Sequence, residues 1–516
     1  MAANNNPKYL SAPNDEINAK PLEQPLIMTT LSYEEAGQSS KGLEGDLSLD
    51  SEKDPPIGDS EKDADIFCCS SDPVSDLALD KLSILPCTNR EEEASSSYCI
   101  SNRDRESSQN SYAVYTEDAR QCDHILLGQQ QELFFCHELS PGSWFFLPHG
   151  TRVYNKLMAF IKQEYWKRGY TEVMSPNMYN MKLWETSGHA ANEKENMFTF
   201  DVDKQEFGLK HVNCPAHCLI FQQRVRSYRE LPMRLADFGV LHQNEAGGAL
   251  TGLTPVRRFQ QDDAHIFCTK DQVKEEVKGV LDFVDCVYTK FGFTYELKLS
   301  TRPEKYLGDL ETWVRAEEDL EKALKEFGKP FLLNKGNGKF YGPSIDVRIS
   351  DAVKKNIQCG TLQLDFQQPD RFKLEYSSSA EDEVKRERPV MIHRAVLGSV
   401  EQMFFILLEH YEGKWPFWLS PRQAIVCSLS EKHRSYAEKV RDQIHEARYY
   451  VDVDISGRKI EEKVREAQAA HYNYILAVGD EEAATGQVGV RLREENGSDF
   501  EVMSIEALLD VFKAQE

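Results

Sequence analysis

Near residue 115 the chain changes texture, and that change confines everything that can fold to the residues beyond it. Residues 1 to about 115 are rich in Ser, Asp, Glu, Asn and Pro, with apolar residues only in short islands such as Ile84-Leu85. Residues 1–120 carry 24 acidic side chains against 10 basic ones, so −14 of the formal charge of −24 lies there. A segment of this kind cannot bury enough apolar surface to offset the entropy of ordering it, and it reads as a disordered acidic tail. The foldable remainder, about 400 residues, has room for two or three domains of ordinary size. A net acidic balance does not favour nonspecific nucleic-acid binding, which needs clustered Lys and Arg, although it leaves room for a local basic groove.

Past Asp123 the sequence is dense in apolar segments. Leu133-Phe134-Phe135 and Trp144-Phe145-Phe146-Leu147 flank the turn signal Ser140-Pro141-Gly142. Val153, Leu157, Phe160 and Ile161 recur at helical spacing and predict an amphipathic helix stopping at Gly169. Residues 170–174 read as a strand ended by Pro176. Residues 235–242 and 259–267 read as two strands joined by a long polar loop that Gly247, Gly248 and Gly252 loosen. A helix is expected over 271–292, a strand over 362–366, and an apolar helix over 399–410 after a break at Gly398. The run Lys414-Trp415-Pro416-Phe417-Trp418-Leu419-Ser420-Pro421 marks a boundary. Beyond it strands over 424–428, 449–454 and 474–478 alternate with helices ending near 447 and spanning 459–470. This pattern predicts a small α/β domain with a mostly parallel sheet. The expected division is a tail over 1–115, a larger first domain over 116–418 and an α/β domain over 419–516.

Twelve cysteines are scattered with no C-x-x-C pair, as in a protein kept in a reducing compartment. No run approaches the 18 or so apolar residues a bilayer-spanning helix needs, so no membrane partner is expected. The acid-bearing N-terminus lacks the basic and apolar regions of a signal peptide, and the expected location is the cytoplasm.

Between the two strands at 235–267 polar residues concentrate: Glu245, Arg257, Arg258, Gln261, Asp262, Asp263 and His265. By pattern alone this is either an exposed polar hairpin or one lining a pocket for a charged substrate. The strings Arg234-Leu235-Ala236-Asp237-Phe238-Gly239, His242-Gln243-Asn244-Glu245, Gly248-Ala249-Leu250-Thr251-Gly252-Leu253 and Phe259-Gln260-Gln261-Asp262-Asp263-Ala264-His265-Ile266-Phe267-Cys268 resemble motif 2 of threonyl-tRNA synthetases. Asn213-Cys214-Pro215, Phe340-Tyr341-Gly342-Pro343, Thr361-Leu362-Gln363-Leu364-Asp365-Phe366 and His393-Arg394-Ala395-Val396-Leu397-Gly398-Ser399-Val400-Glu401 extend the match over about 120–516. The resemblance implies an α+β fold. It has the antiparallel sheet flanked by helices of class II synthetases, a small α/β anticodon-binding domain after it, and a dimer interface near Pro176.

It further implies a Zn2+ site from Cys214, His265 and His393, which no spacing rule would find in residues so far apart. Three protein ligands leave positions open for substrate. In the family the threonine amino and hydroxyl groups take them, which rejects valine because it lacks the hydroxyl. Gln261, Asp263, Tyr341, Gln358, Thr361 and Gln363 match the remaining threonine-pocket positions, while Glu245 and Arg257 belong to the motif 2 hairpin. In the C-terminal domain, which resembles the anticodon-binding module, Arg458, Lys459, Lys463, Arg465, Arg491 and Arg493 are candidate tRNA contacts or else a solvated charged face.

The chain departs from the family where ATP would be held. Gln243 stands where motif 2 has an arginine for the α-phosphate and threonine carboxylate, and Gln402 where motif 3 has an arginine over the adenine. A neutral amide supplies neither positive charge nor bidentate fork. Pro255 and Ser344 replace two further basic positions, and Ala190 replaces a tryptophan. The family also commonly carries an N-terminal domain that removes mischarged serine, and nothing in 1–115 resembles it. Two functions therefore remain open. One is a synthetase-like protein impaired in activation and kept for binding zinc, threonine, tRNA-Thr or a synthetase partner, as a homodimer or a heterodimer with a full-length subunit. The other is an active threonine–tRNA ligase using ATP and Mg2+.

Overall fold

The computed structural model describes residues 123–247, 250, 255–350, 356–378, 385–494 and 499–516. The acidic segment 1–115, and all of the Gly248–Leu253 string except Leu250, lie outside them. The architecture is α+β. Eight strands build the main sheet: β1 Thr171–Glu172, β2 Met233–Asp237, β3 Asp263–Cys268, β4 Tyr295–Ser300, β5 Phe331–Asn334, β6 Ser344–Ser350, β7 Asn356–Asp365 and β8 Val390–Ala395. Their spatial order is β5-β4-β6-β7-β8-β3-β2-β1. The six inner strands pair antiparallel, and only the edge pairs β5/β4 and β1/β2 are parallel.

Helix Pro148–Lys167 runs close to the length its apolar spacing requires, burying Val153, Leu157 and Ile161 and stopping before Gly169. Helix Val273–Phe291 ends at Gly292 in the left-handed conformation and buries Val277, Leu281, Val284 and Tyr288. With helix Leu310–Phe327 and the largely buried helix Val400–His410, these side chains form one continuous core with the sheet. The strand expected over 170–174 is shorter, with Val173 still donating to the Ala236 carbonyl at 2.8 Å. The strands expected over 235–242 and 259–267 are each split in two. Val240–His242 and Arg258–Gln260 form a separate hairpin that turns away from the main sheet.

After Trp415, Phe417 and Leu419, all buried, comes the second domain. Its strands are β9 Ala424–Ser428, β10 Val451–Asp454, β11 Tyr474–Val478, β12 Gln487–Leu492 and β13 Glu501–Ser504, in the order β10-β9-β11-β12-β13. The mostly parallel sheet expected here needs correction. β10, β9 and β11 are parallel, but β12 and β13 add antiparallel, so half the pairings are of each kind. Helix Asp480–Thr485 is too short a connection for a parallel crossover, and the turn at Gly486 folds β12 straight back on β11.

Candidate substrate pocket and metal centre

Strand register assembles residues that sequence spacing leaves far apart. His265 on β3 lies directly opposite His393 on β8, and His393 lies opposite Gln363 on β7. Because side chains alternate along a strand, Thr361, Gln363 and Asp365 share this face with His393, and Asp263 shares it with His265. Cys214 reaches the same place from the first turn of helix Cys214–Gln222, where Pro215 occupies a position whose missing N–H costs nothing. The result is a cavity of about 290 Å³ lined by Cys214, Gln243, Gln261, Asp263, His265, Tyr341, Thr361, Gln363, Asp365 and His393, among others.

One donor atom from each of Cys214, His265 and His393 lies within 4.8 Å of the other two. His265 Nε2 is 3.0 Å from His393 Nδ1, close to the separation of about 3.3 Å between two nitrogens on one tetrahedral cation. The remaining ring nitrogens are held as metal-ligating histidines require. His393 Nε2 meets the Asp365 carboxylate at 2.8 Å, and His265 Nδ1 meets His217 Nδ1 at 2.7 Å, with Asp237 beyond. Burial, followed by the neighbouring His393 and His217, holds His265 well below its usual range, so the ring is neutral and able to ligate. Burial pushes the Cys214 thiol well up, a cost that a bound cation reverses by stabilising the thiolate. Donor set, spacing and second shell all fit a zinc ion.

Around this centre the polar groups are pre-positioned. Tyr341 hydrogen-bonds Gln363, whose amide donates to Thr361 Oγ1 at 3.1 Å. Gly342 allows that placement, because a Cβ there would stand 1.8 Å from the Leu364 carbonyl oxygen. Asp263 is buried and accepts from Asn213 Nδ2 at 3.1 Å, its carboxyl pushed up chiefly by burial. Of the threonine-pocket candidates, Gln358 is the one outside the cavity. Its exposed side chain bonds Asp346, and its carbonyl accepts from Gln402 Nε2 at 2.9 Å.

The separate hairpin is fixed over the cavity by one buried carboxylate. Glu401 accepts from Tyr154 at 2.9 Å, Arg258 at 3.0 Å and the Gln260 N–H at 2.9 Å. Arg257 donates twice to the Glu245 carbonyl, at 3.1 and 2.9 Å. Arg394, fully buried, pairs with Asp262 at 3.2 Å. Gln243 lines the cavity and Gln402 stands beside Gly398 at the start of its helix. Sequence reasoning missed His189, Glu193 and His211 in the cavity wall, and no periodic or spacing signal would have joined them.

The C-terminal candidates separate cleanly. Lys463 is 1% exposed and donates to the Ser428 and Asp454 carbonyls at 2.8 and 3.1 Å, so it is no tRNA contact but a tie between helix and sheet. Arg458 is shared by Asp454 and Glu466, Arg493 reaches the Trp415 carbonyl and Glu494, and Arg491 is buried. Lys459 and Arg465 are exposed.

An eight-stranded, largely antiparallel sheet carrying its site on one face, joined to a five-stranded α/β domain, defines a class II aminoacyl-tRNA synthetase core with its anticodon-binding appendage. Residues 198–411 match the tRNA synthetase class II core domain (G, H, P, S and T), and residues 423–515 match the anticodon binding domain. The solved RNA-binding domain of threonyl-tRNA synthetase from Cryptosporidium parvum superposes with a TM-score of 0.74 at 51% identity, covering 76% of this chain and 98% of that one. The mitochondrial threonine–tRNA ligase 1 of Arabidopsis thaliana is 68% identical over 435 residues, 82% of this chain and 61% of the relative. The cytoplasmic ligase of Saccharomyces cerevisiae is 56% identical over 398 residues, 77% of this chain and 54% of the relative. The chain belongs to the threonyl-tRNA synthetase family. It spans between half and two thirds of the length of these curated relatives.

Proposed function

We propose that this protein binds threonine in a zinc-centred pocket but is impaired in activating it with ATP, and that it serves by binding threonine, tRNA-Thr or a synthetase partner. The observation that carries the reading is the pair Gln243 and Gln402, neutral amides where the family resemblance calls for arginines. The guanidinium groups described nearby are already engaged. Arg258 is ion-paired to Glu401, Arg394 to Asp262, and Arg257 is folded onto the Glu245 carbonyl. Losing one preorganised charge stabiliser costs about 3–4 kcal/mol of transition-state energy.

Cys214, His265 and His393 would hold the zinc, which when bound offers open positions to an amine and a hydroxyl. Tyr341, Gln363, Thr361 and Gln261 would orient the substrate, and Asp263 would accept a hydrogen bond from its zinc-bound amino group. Lys459 and Arg465, with Arg458 and Arg493 in supporting pairs, are the proposed tRNA face, from which the buried Arg491 is set back. Trp166 and Met174, 87% and 93% exposed on the stretch before Pro176, support self-association or pairing with a full-length synthetase there. Seven free cysteines among the described residues suit a reducing compartment, which we take to be the cytoplasm. Among the described residues no helix is long and apolar enough to cross a membrane.

The five threonine-pocket candidates that line the cavity and the 68% identity to a ligase favour a second reading, an active threonine–tRNA ligase using ATP and Mg2+. Threonine-dependent ATP–pyrophosphate exchange on zinc-loaded protein, with Cys214→Ala as control, separates the two. Exchange at background supports the binding role. Threonine-dependent exchange that the control abolishes establishes the ligase.

A further inference from the structure

Beside the Cys214 centre the cavity wall holds a second group of metal-binding side chains. His189, Glu193 and His211 each present one ligand atom within 4.8 Å of the other two. His189 is set by the turn at Gly188, whose φ of 86° joins helix Lys182–Ser187 to the short helix His189–Asn192. Ser187 Oγ holds His189 Nδ1 at 2.7 Å, which leaves Nε2 turned into the cavity. Glu193 comes one turn later and so hangs on the same side.

His211 comes from the segment before Cys214 and is 2% exposed. Its ring is wedged between Trp184 at 4.6 Å and His189 at 5.2 Å, the latter nearly edge-on. Both of its ring nitrogens are buried without a hydrogen-bond partner. A polar group taken out of water in this way costs free energy unless something in the site compensates it. A plain ion pair compensates poorly. His211 Nε2 and Glu193 Oε2 are 3.5 Å apart, beyond the 2.7–2.9 Å of a charge-assisted hydrogen bond. That separation suits two donors on one cation, since ligands about 2.0–2.1 Å from a metal stand well over 3 Å from each other.

We propose that His189, Glu193 and His211 bind a second divalent transition-metal ion, with zinc the best match to two imidazoles and one carboxylate. Such a set leaves positions open, as catalytic rather than closed structural sites do. Here they face the cavity, so the ion would carry water or an oxygen ligand such as a carboxylate or phosphate. Ser187 supplies the outer contact that orients His189. Glu193, whose side chain is 41% exposed, marks the side open to entry. The two centres share a wall, because His189 Nε2 lies 3.9 Å from Cys214 Sγ. For that reason the first centre is best removed through His393 rather than through Cys214.

The experiment is metal stoichiometry on the full chain, loaded with Zn2+ and freed of excess by gel filtration. Two ions per chain are expected, one in each of H211A, E193Q and H393A, and none in H211A/H393A. Cobalt substitution separates the centres. The thiolate-to-cobalt charge-transfer band belongs to the Cys214 centre and should persist in H211A, while cobalt d–d absorption without that band should persist in Cys214→Ala. Should H211A fail to fold, E193Q carries the result from the partly exposed side. A single ion lost in H211A and E193Q but kept in H393A would place metal at the trio alone and sink the Cys214 centre instead. A native chain holding one ion that neither H211A nor E193Q removes overturns the proposal, leaving the trio a long ion pair.

Discussion

The two largest sheets among the described residues bury polar side chains for opposite ends. On the main sheet His265, His393 and Asp365, joined by His217 of helix Cys214–Gln222, form a hydrogen-bonded row that opens on a cavity, and several neighbours remain unsatisfied, among them Asn213 Oδ1, His217 Nε2 and both nitrogens of His211. In the C-terminal domain the buried cation is fully used. Lys463 closes on two backbone carbonyls, and its surroundings contain the apolar faces of two helices rather than a pocket. Scattered single atoms such as Gln443 Oε1 and Asn473 Oδ1 go without partners in the C-terminal domain as well, so the contrast lies in clustering: unsatisfied groups gathered around one cavity mark where a ligand is expected, because natural folds leave few buried polar atoms without partners.

The comparison breaks most visibly if the glutamines at the two family arginine positions do not limit what the main-sheet cavity can do. Gln243→Arg together with Gln402→Arg should raise threonine-dependent pyrophosphate exchange by about ten-thousandfold or more, since each restored cation is worth some 3–4 kcal/mol and each 1.36 kcal/mol is tenfold. An unchanged rate in a folded double variant would show that the deficit lies elsewhere. Next in size, His393→Ala should remove the first zinc and abolish stabilisation by threonine. At threonine a hundred times its Kd that stabilisation is about 2.7 kcal/mol in the parent protein, read as a shift in thermal unfolding.

In the C-terminal domain the order of effects reverses. Lys463→Met should cost about 1–3 kcal/mol of stability, because two buried carbonyls lose their donor, while tRNA affinity of the folded variant stays put. Arg465→Ala should leave stability alone and weaken tRNA binding a few-fold, with a shallower salt dependence in filter-binding titrations. A Lys463 variant that folds as well as its parent would dissolve the contrast.

The smallest effect comes from an ion pair outside both buried networks. Arg224 beside Glu230, with the Ser227 N–H, holds that carboxyl down at about 2. A depressed carboxyl stabilises the fold above its unfolded value near 4.3, and the contribution fades as pH falls toward 2. Glu230→Gln should therefore lose at most about 1 kcal/mol in denaturant unfolding at pH 7, exposure keeping it small, and nothing near pH 2.

Apolar period and turn residues made most of the fold legible, since Val153, Leu157 and Ile161 or the Gly292 stop depend only on local chain geometry. Strands β12 and β13 were not read from the sequence, and their antiparallel addition to β11 follows from the connection through Asp480–Thr485, too short for a parallel crossover. The site divides the same way. Cys214, His265 and His393 became neighbours through strand register and a helix start, which are long-range facts, and only motif resemblance could name them. Lys463 looked like any solvated helical cation, yet it lies on the face turned to the sheet beside buried Val464 and Ala467. His211 and Glu193 carried no signal, for their meeting depends on how the Gly188 turn is packed.

The central claim is a pocket that takes threonine without activating it. Its most direct test tracks threonine binding by calorimetry and threonyl-adenylate formation in a single turnover on the same zinc-loaded sample. The expected result is saturable threonine binding, lost in His393→Ala, with no adenylate formed on mixing with ATP and Mg2+. Adenylate appearing at the rate of an ordinary synthetase would contradict it.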